Sequence, residues 1–233
     1  FYSSKLKTLK GKKNIKIAFN RRQYQGVNYI KSEIDKKDIF LIEVSIPESI
    51  DFLNEKKHML NSKNFREKYF NIFNNSVHLL DLIKYLVGSY TVSSIKHIKD
   101  KSNRLRGYVL NIKSKKVKNI IIKSIFNSSD NFSLNAFSNK TRYEMCPIES
   151  FSKYEGVEII EPTSKYPLRR YEPITTENTV ELMPKDCKPG FDKQAQAFFN
   201  FCNKKKTNLA TINDMLDSIS LAERVFEYLE DFN

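Results

Sequence analysis

Glycine is scarce in this chain of 233 residues, and its spacing excludes the common nucleotide-binding loops. The sequence has only 6 glycines, at positions 11, 26, 88, 107, 156 and 190. No two of them are close enough to form G-x-G-x-x-G, and the loop of a P-loop NTPase is excluded as well. The chain therefore has no usual means of cradling a pyrophosphate.

Cysteine is also scarce, and Cys146, Cys187 and Cys202 lie far apart in the sequence. None has the Cys-x-x-Cys or Cys/His spacing of a metal site, so we predict no metal. Free thiols suit a reducing compartment, which predicts a cytoplasmic location. No apolar run approaches the roughly 20 residues that span a bilayer, and residues 1–13 are too polar for a signal peptide. We therefore expect no membrane partner.

Acidic residues are outnumbered, with 27 Asp and Glu against 40 Lys and Arg and a net charge of +13. Such an excess is typical of proteins that bind polyanions such as nucleic acid. The basic residues are scattered along the chain, however, whereas a nucleic-acid footprint clusters on one face. A compositional bias toward lysine explains the charge equally simply, so we regard nucleic acid as an unlikely partner.

The alternation of apolar residues predicts an α+β fold with a large, mostly antiparallel open sheet. Strand patterns occur at residues 14–19 and 38–46 and then follow one another through the middle of the chain. Parallel crossovers need a dozen or more residues, and these connections are shorter. The predicted central strands cover residues 90–99, 105–113, 117–126, 132–137, 142–147, 157–161, 168–174 and 179–182.

Helical spacing predicts helices on one face of this sheet. The sheet's other face is then free to meet a partner, which predicts a homo-oligomer. A capping box of Thr211 and Asp214 marks the start of the last helix. The other predicted helices cover residues 21–36, 77–87 and 191–204, with a short one near residues 65–70.

One predicted helix carries a polar stripe on an otherwise apolar surface. In residues 77–88, His78, Asp81 and Tyr85 share one face. Buried polar groups without partners cost roughly 1–3 kcal/mol each, so the stripe either satisfies itself or faces a polar cleft. Asn74, Asn75 and Ser76 are good N-cap types, which would put His78 in the first turn and favour a neutral imidazole. A neutral His suits a general base, although a purely structural His is the alternative.

Four stretches of the sequence resemble the Gfo/Idh/MocA family of oxidoreductases, and they follow one another in the same order as in that family. The match includes N-S-V-H-L-L-D-L-I-K-Y-L-V-G, which is similar to the family's helix with the active-site His, and I-A-F-N-R-R-Q-Y, which is similar to its last Rossmann strand and Asn-Arg-Arg turn. The stretches are Ile17 to Tyr24, Asn75 to Gly88, Lys188 to Phe199 and Leu209 to Val225.

The resemblance implies an NAD(P)-dependent enzyme that transfers a hydride between a nicotinamide and a sugar, nucleotide-sugar or cyclitol. It also implies a Rossmann domain and a Glu-Lys-Pro motif upstream of this chain, which we expect to be an inactive fragment by itself. Residues 1–20 would then be the remnant of the dinucleotide-binding domain, including its last strand. Residues 21–210 would form the substrate-binding and oligomerisation domain, and residues 211–233 a helix that packs back toward the cleft.

The same resemblance implies the site residues. His78 and Asn74 would be catalytic, with Asn74 standing where the family often has Asp. Because Asn cannot take a proton, the proton route would fall to His78 and the Lys upstream. The remaining predicted contacts are Asn20, Arg21 and Arg22 for NAD or NADP, and Tyr24, Asn75, Arg169 and Gln194 for the substrate.

Two other functions remain open on the sequence. Asn74 in place of Asp favours a non-catalytic sugar-binding or scaffold protein with the same fold. The positive charge alone favours a basic nucleic-acid-binding domain.

Overall fold

The computed structural model describes residues 6–36, 38–50, 72–181 and 187–225. Within them, a 3-10 turn at Asn20–Gln23 precedes the first helix, and a π-helical turn at Ile72–Ser76 precedes the second. The helices are α1 (Gln25–Lys36), α2 (Val77–Val87), α3 (Phe191–Cys202) and α4 (Ile212–Arg224). The strands are β1 (Leu41–Ser45), β2 (Tyr90–Lys99), β3 (Leu105–Ser114), β4 (Asn119–Ile125), β5 (Ser133–Ser138), β6 (Thr141–Met145), β7 (Ser150–Ile160) and β8 (Arg170–Val180).

The strands form one eight-stranded sheet in the order β2-β3-β4-β1-β5-β6-β7-β8. Every neighbouring pair is antiparallel except β1 and β4, which run parallel. This confirms the predicted α+β fold with a mostly antiparallel open sheet. The parallel pair arises because β1 leaves the sheet through α2 before the meander of β2, β3 and β4 brings the chain back beside it.

Helices cover one face of the sheet and form the core with it. Alternate strand residues such as Tyr108, Leu110 and Ile122 are buried beneath the helices, as the twofold period of a strand requires. Helix α2 is apolar nearly all round and is buried between α1 and α4. None of the helices in these residue ranges is both long and apolar enough to cross a membrane.

Helix α3 differs from the other helices because none of its side chains is buried. Phe198 and Phe199 are 50% and 63% exposed. The helix contacts the 3-10 turn Asn20–Gln23 and lies beside it.

Helix α4 begins as predicted. The Thr211 hydroxyl accepts a hydrogen bond from the Asp214 backbone N–H, and the Asp214 carboxylate accepts one from the Thr211 backbone N–H. Together these two bonds satisfy donors that a helix start leaves unpaired.

Four predicted strands differ from the structure. Residues 14–19 do not form a strand: Ile17 makes only an isolated bridge to Ala210, which is the one strand-like partner among the described residues. Strand β7 starts seven residues before the predicted 157–161, because residues 150–156 lack a regular apolar alternation and their pairing with β6 and β8 forms only in the folded sheet. Residues 168–174 and 179–182 belong to one strand, β8. The short helix predicted near residues 65–70 lies outside the described residues.

The predicted N-cap before α2 is wrong. Ser76 has helical dihedral angles (φ −59°, ψ −31°) and makes no capping bond, because the π-helical turn runs directly into α2. Its hydroxyl instead donates to the Glu48 carboxylate at 2.5 Å. π-helical turns of this kind occur mostly inside α-helices and often at functional sites.

Candidate functional site

His78 lies in the first turn of α2 and is half-buried. The Phe19 ring packs edge-on against it, with the ring centroids 5.1 Å apart. Its Nδ1 is buried and has no hydrogen-bond partner among the described residues. Within the described part of the chain, this nitrogen makes none of the hydrogen bonds by which a structural His usually joins two elements.

Burial, together with the positive charges of Arg21 and Lys188, lowers the pKa of His78 to about 4. The imidazole is therefore neutral at pH 7, as the sequence predicts. The cause differs from the prediction, which was the dipole of an open helix start. A π-helical turn precedes α2 instead, and the pKa of His78 is lowered by burial and by the two cations. A neutral His with a free ring nitrogen can act as a base or as an orienting group.

Arg21 is the second unsatisfied group of this region. Its Nη1 is buried without a partner, and its guanidinium lies 5.0 Å from the centre of the Phe132 ring. Burial lowers the pKa of Arg21, although Tyr24 and Glu149 oppose that shift. Arginine stays charged in proteins even so, which leaves a cation beside His78 with hydrogen-bonding capacity to spare.

Asn20 joins the start of α3 to this region. Its side-chain Nδ2 donates to the carbonyl of Pro189 at 2.9 Å. Gly190 follows with φ +78°, and a Cβ there would lie 2.7 Å from the Asn20 carbonyl oxygen. This close approach brings Lys188 and the first turn of α3 to the 3-10 turn. Gln194 lies in that first turn, and its Oε1 is buried without a partner.

Arg22 has a different environment from the one predicted for a cofactor contact. Its guanidinium binds Asp81 through two bonds of 2.5 and 2.6 Å, and Asp214 lies 3.5 Å away. Arg22 is 5% exposed and Asp81 is fully buried. Burial raises the pKa of Asp81 to about 6, so the carboxylate is ionised at neutral pH. The arginine is thus fully engaged in joining α2, α4 and the 3-10 turn.

Asn74 and Asn75 lie in the π-helical turn before His78. Asn74 is exposed, and Asn75 donates to Glu48 at 3.4 Å. Glu48 is 3% exposed, and burial raises the pKa of its carboxyl. The sequence did not single out Glu48; its position directly after β1 and Pro47 was the available signal.

Tyr24 is buried, and its hydroxyl lies 3.5 Å from a carboxylate oxygen of Glu149. Burial raises the pKa of Tyr24 to about 12, so the phenol remains a neutral donor. Tyr85 lies one turn beyond Asp81 on α2 and donates to Asn28 at 2.6 Å. The stripe of His78, Asp81 and Tyr85 therefore satisfies itself internally except at His78.

Arg169 is not brought to this region. It is exposed and pairs with Glu161 at 3.0 Å, directly before β8. Glu181, at the other end of β8, lies beside the start of α1, because its carboxylate accepts a hydrogen bond from the Gln25 backbone N–H. At roughly 3.3 Å per residue, the length of β8 keeps Arg169 more than about 30 Å from that end. The substrate contact predicted for Arg169 does not agree with this position.

The unsatisfied groups mark the site. Six buried side-chain atoms lack a partner among the described residues, and Arg21, His78 and Gln194 supply three of them. Buried polar groups are normally paired, so a concentration of free ones around a single turn indicates a ligand site. Two concavities, of about 320 and 560 Å³, do not include His78.

Solved structures of dehydrogenases have the same fold. A dehydrogenase (MviM) from Clostridium difficile superposes with a TM-score of 0.62 at 13% identity, covering 97% of this chain and 66% of its own. UDP-N-acetylglucosamine 3-dehydrogenase from Acidithiobacillus ferrooxidans gives 0.62 at 9%, with 99% and 67% covered. Levoglucosan dehydrogenase, in complex with NADH and L-sorbose, gives 0.61 at 11%, with 97% and 67% covered.

These neighbours are Gfo/Idh/MocA-type dehydrogenases. This chain has their fold. The resemblance predicted from the sequence is thereby confirmed at the level of the fold, and the chain spans about two thirds of the neighbours' length. No protein-family model and no curated protein matches the sequence.

Proposed function

We propose that this chain supplies the substrate side of an NAD(P)-dependent oxidoreductase that acts on a sugar, nucleotide-sugar or cyclitol. The observation that carries the proposal is the neutral imidazole of His78, whose Nδ1 is buried without a partner beside Arg21. The fold shared with sugar dehydrogenases supports it.

The chemistry asks little of this chain beyond proton transfer and positioning. Oxidation of a hydroxyl to a ketone releases a hydride from carbon and a proton from oxygen, and His78 takes the proton. Hydride transfer is chemistry that the nicotinamide supplies when bound. Gln194 holds a neighbouring hydroxyl through its free oxygen, and Tyr24 donates from the floor of the site.

The chain's own residues fit only one end of a dinucleotide. Asn20 and Arg21 are our proposed contacts where the nicotinamide end and the substrate meet, and Arg21 has a buried nitrogen without a partner among the described residues. No glycine-rich loop for the pyrophosphate exists in the sequence. We therefore propose that NAD or NADP is bound mainly by a Rossmann domain outside these residues, and that this chain alone is inactive.

The proposed partners follow the same reasoning. The arm formed by the end of β7 and the start of β8 exposes Val157, Leu168 and Tyr171 at 55%, 76% and 63%. Apolar side chains of this size are seldom left in water, so we propose a homo-oligomer that uses the open sheet. A cytoplasmic location is our proposal for the whole protein.

The test replaces His78 in the full-length protein and follows NADH formation with candidate sugars. His78→Ala should lower turnover by about 10²–10⁴, the usual contribution of general acid–base catalysis. The control is His97→Ala. His97 lies on strand β2, where its ring nitrogen hydrogen-bonds with the Val225 carbonyl, and it has no part in the proposal. Unchanged turnover in the His78 variant would remove this residue from the mechanism.

A non-catalytic sugar-binding protein is the second candidate. It is favoured by Asn74, an exposed amide that cannot carry a proton. The same experiment separates the two: sugar binding by the full-length protein, with no NADH formed from any sugar that binds, would favour the binding protein.

A further inference from the structure

Two cations lie near His78 without a direct ion pair to a described carboxylate, although Glu149 and Glu48 act on Arg21 from a greater distance. No described Asp or Glu comes within 4.0 Å of Arg21 or Lys188, and no hydrogen bond between described residues satisfies Arg21 Nη1. The nearest acids have other partners. Glu48 accepts from Ser76 and Asn75, and Glu149 lies beside the Tyr24 hydroxyl.

The fold holds the two cations next to each other. Asn20 binds the Pro189 carbonyl, so the residues flanking this bond, Arg21 on one side and Lys188 on the other, are fixed around it. Gly190 lets the two backbones approach more closely than any other residue would allow. Both cations lower the pKa of His78 and so lie near it, and the side chain of Lys188 is exposed.

Arg22 shows that Arg21, and not its neighbour in the sequence, lacks a direct carboxylate partner among the described residues. One residue further along the chain, the guanidinium binds two carboxylates. Arg21 is half-buried, and its buried Nη1 without such a partner carries a desolvation cost that a bound anion would offset. Arginine's planar fork matches the two oxygens of a carboxylate or phosphate, and lysine adds a point charge.

We propose that Arg21 and Lys188 form an anion subsite beside His78, which binds a carboxylate or phosphate group carried by the sugar substrate. The subsite rests on the proposed function for its place in the reaction, but its ligand binding can be measured without turnover. It makes the substrate an acidic sugar or a phosphorylated one, and not a neutral sugar.

A bound anion would also change His78. The charges of Arg21 and Lys188 help to hold the pKa of His78 down, and an oxyanion between them would neutralise both. The pKa of His78 should then rise, which makes the imidazole a better base when the right substrate is present.

The experiment measures binding to the full-length protein by calorimetry with three probes: D-glucuronate, glucose 6-phosphate and glucose. At least one acidic probe should bind tenfold or more tightly than glucose. Tighter binding of glucuronate would identify a sugar acid, and tighter binding of glucose 6-phosphate a phosphorylated sugar. Equal affinity for all three, or no binding of either acid, would overturn the proposal.

Variants then test the two cations. Arg21→Met should weaken binding of the acidic probe by about 10–100-fold, as expected when a charge-assisted hydrogen bond is lost. Lys188→Met should weaken the same binding by several-fold. Glucose binding should stay unchanged. Lys193→Met is the matched control, because it removes a charge nearby that Glu181 already balances at 3.1 Å. Equal weakening by Lys193→Met would show a general field effect and contradict the subsite.

An NMR titration keeps the proposal testable if Arg21→Met binds nothing. The pKa of His78 should rise in Arg21→Met without any ligand and in the wild-type protein when the acidic probe is added. Arg21→Lys keeps the charge and should leave the pKa low. An unmoved pKa in both cases would sink the subsite. A protein that binds the acids but forms no NADH keeps the subsite and loses the proposed function.

Discussion

Arg21 and Arg22 are adjacent in sequence, yet they lie in opposite electrostatic environments. Arg22 is bound by Asp81 and Asp214 at the junction of α2, α4 and the 3-10 turn. Arg21 lies near His78 and over the Phe132 ring, and its Nη1 is left without a partner among the described residues. The comparison separates a cluster that stabilises the fold from one that is available to a ligand, although both are built from the same residue types.

The largest expected effect comes from breaking the ion-paired cluster of Arg22, Asp81 and Asp214. Arg22→Met leaves Asp81 buried and unpaired, so we expect it to lower the free energy of unfolding by about 3–5 kcal/mol. Arg21→Met removes no ion pair and should cost about 1 kcal/mol or less, the size of its contact with the Phe132 ring. Urea denaturation of both variants measures the difference, and equal losses would erase the distinction between the clusters.

A substitution at Gly190 tests whether the close contact between the 3-10 turn and the start of α3 matters for stability and turnover. Gly190→Ala places a methyl group against the Asn20 carbonyl and strains a positive φ, which should cost about 2 kcal/mol and lower turnover. Gly11→Ala is the control, since Gly11 has φ +85° but nothing within 4 Å of the added Cβ. Its cost should be only the backbone strain, about 1 kcal/mol, with turnover intact. If both variants lost the same stability and activity, the close contact would not matter.

The smallest expected effect is a pH dependence that His78 contributes. The pKa of His78 falls from 6.5 in the unfolded chain to about 4 in the fold, so below pH 6.5 the unfolded chain binds the proton more readily. The stability that depends on a neutral His78 is full above pH 6.5 and is lost as the pH falls toward 4. Relative to His78→Gln, the wild-type protein should therefore lose about 1–2 kcal/mol between pH 7 and pH 5.

Denaturation curves at the two pH values check this. Asp81 contributes with the opposite sign, since its raised pKa makes the fold bind a proton more readily below pH 6. Because Asp81 is present in both proteins, the comparison with His78→Gln cancels its contribution. A difference that does not change with pH would mean that the imidazole is not held neutral by its surroundings.

The parts of the fold that depend on local patterns were predictable from the sequence. Strand β2 and helix α2 have the predicted bounds, and the capping box at Thr211 forms as expected. The π-helical turn and the parallel pairing of β1 with β4 were not predictable, because they depend on contacts between distant residues such as Ser76 with Glu48 and Ile42 with Ile120. Local propensity does not contain those contacts.

The site was predictable in its centre and not in its surroundings. The polar stripe on an apolar helix singled out His78, and its neutral state agrees with the structure for a different physical reason. Adjacent residues of a helical turn point about 100° apart, so the sequence could not tell which of Arg21 and Arg22 faces the core. Lys188 was part of the resemblance but was not marked as functional, since nothing before folding connects it with Arg21.

The position of β1 constrains how the chain assembles. Leu41 is the first strand residue in the sequence, yet it pairs with Asn119 on one side and Phe137 on the other. The middle of the sheet therefore closes only after most of the chain has been made, and both hydrogen-bonding edges of β1 stay open until β4 and β5 follow. Such high contact order slows folding and prolongs the time in which exposed edges can aggregate. Chaperone assistance during synthesis would bear most heavily on this central pairing.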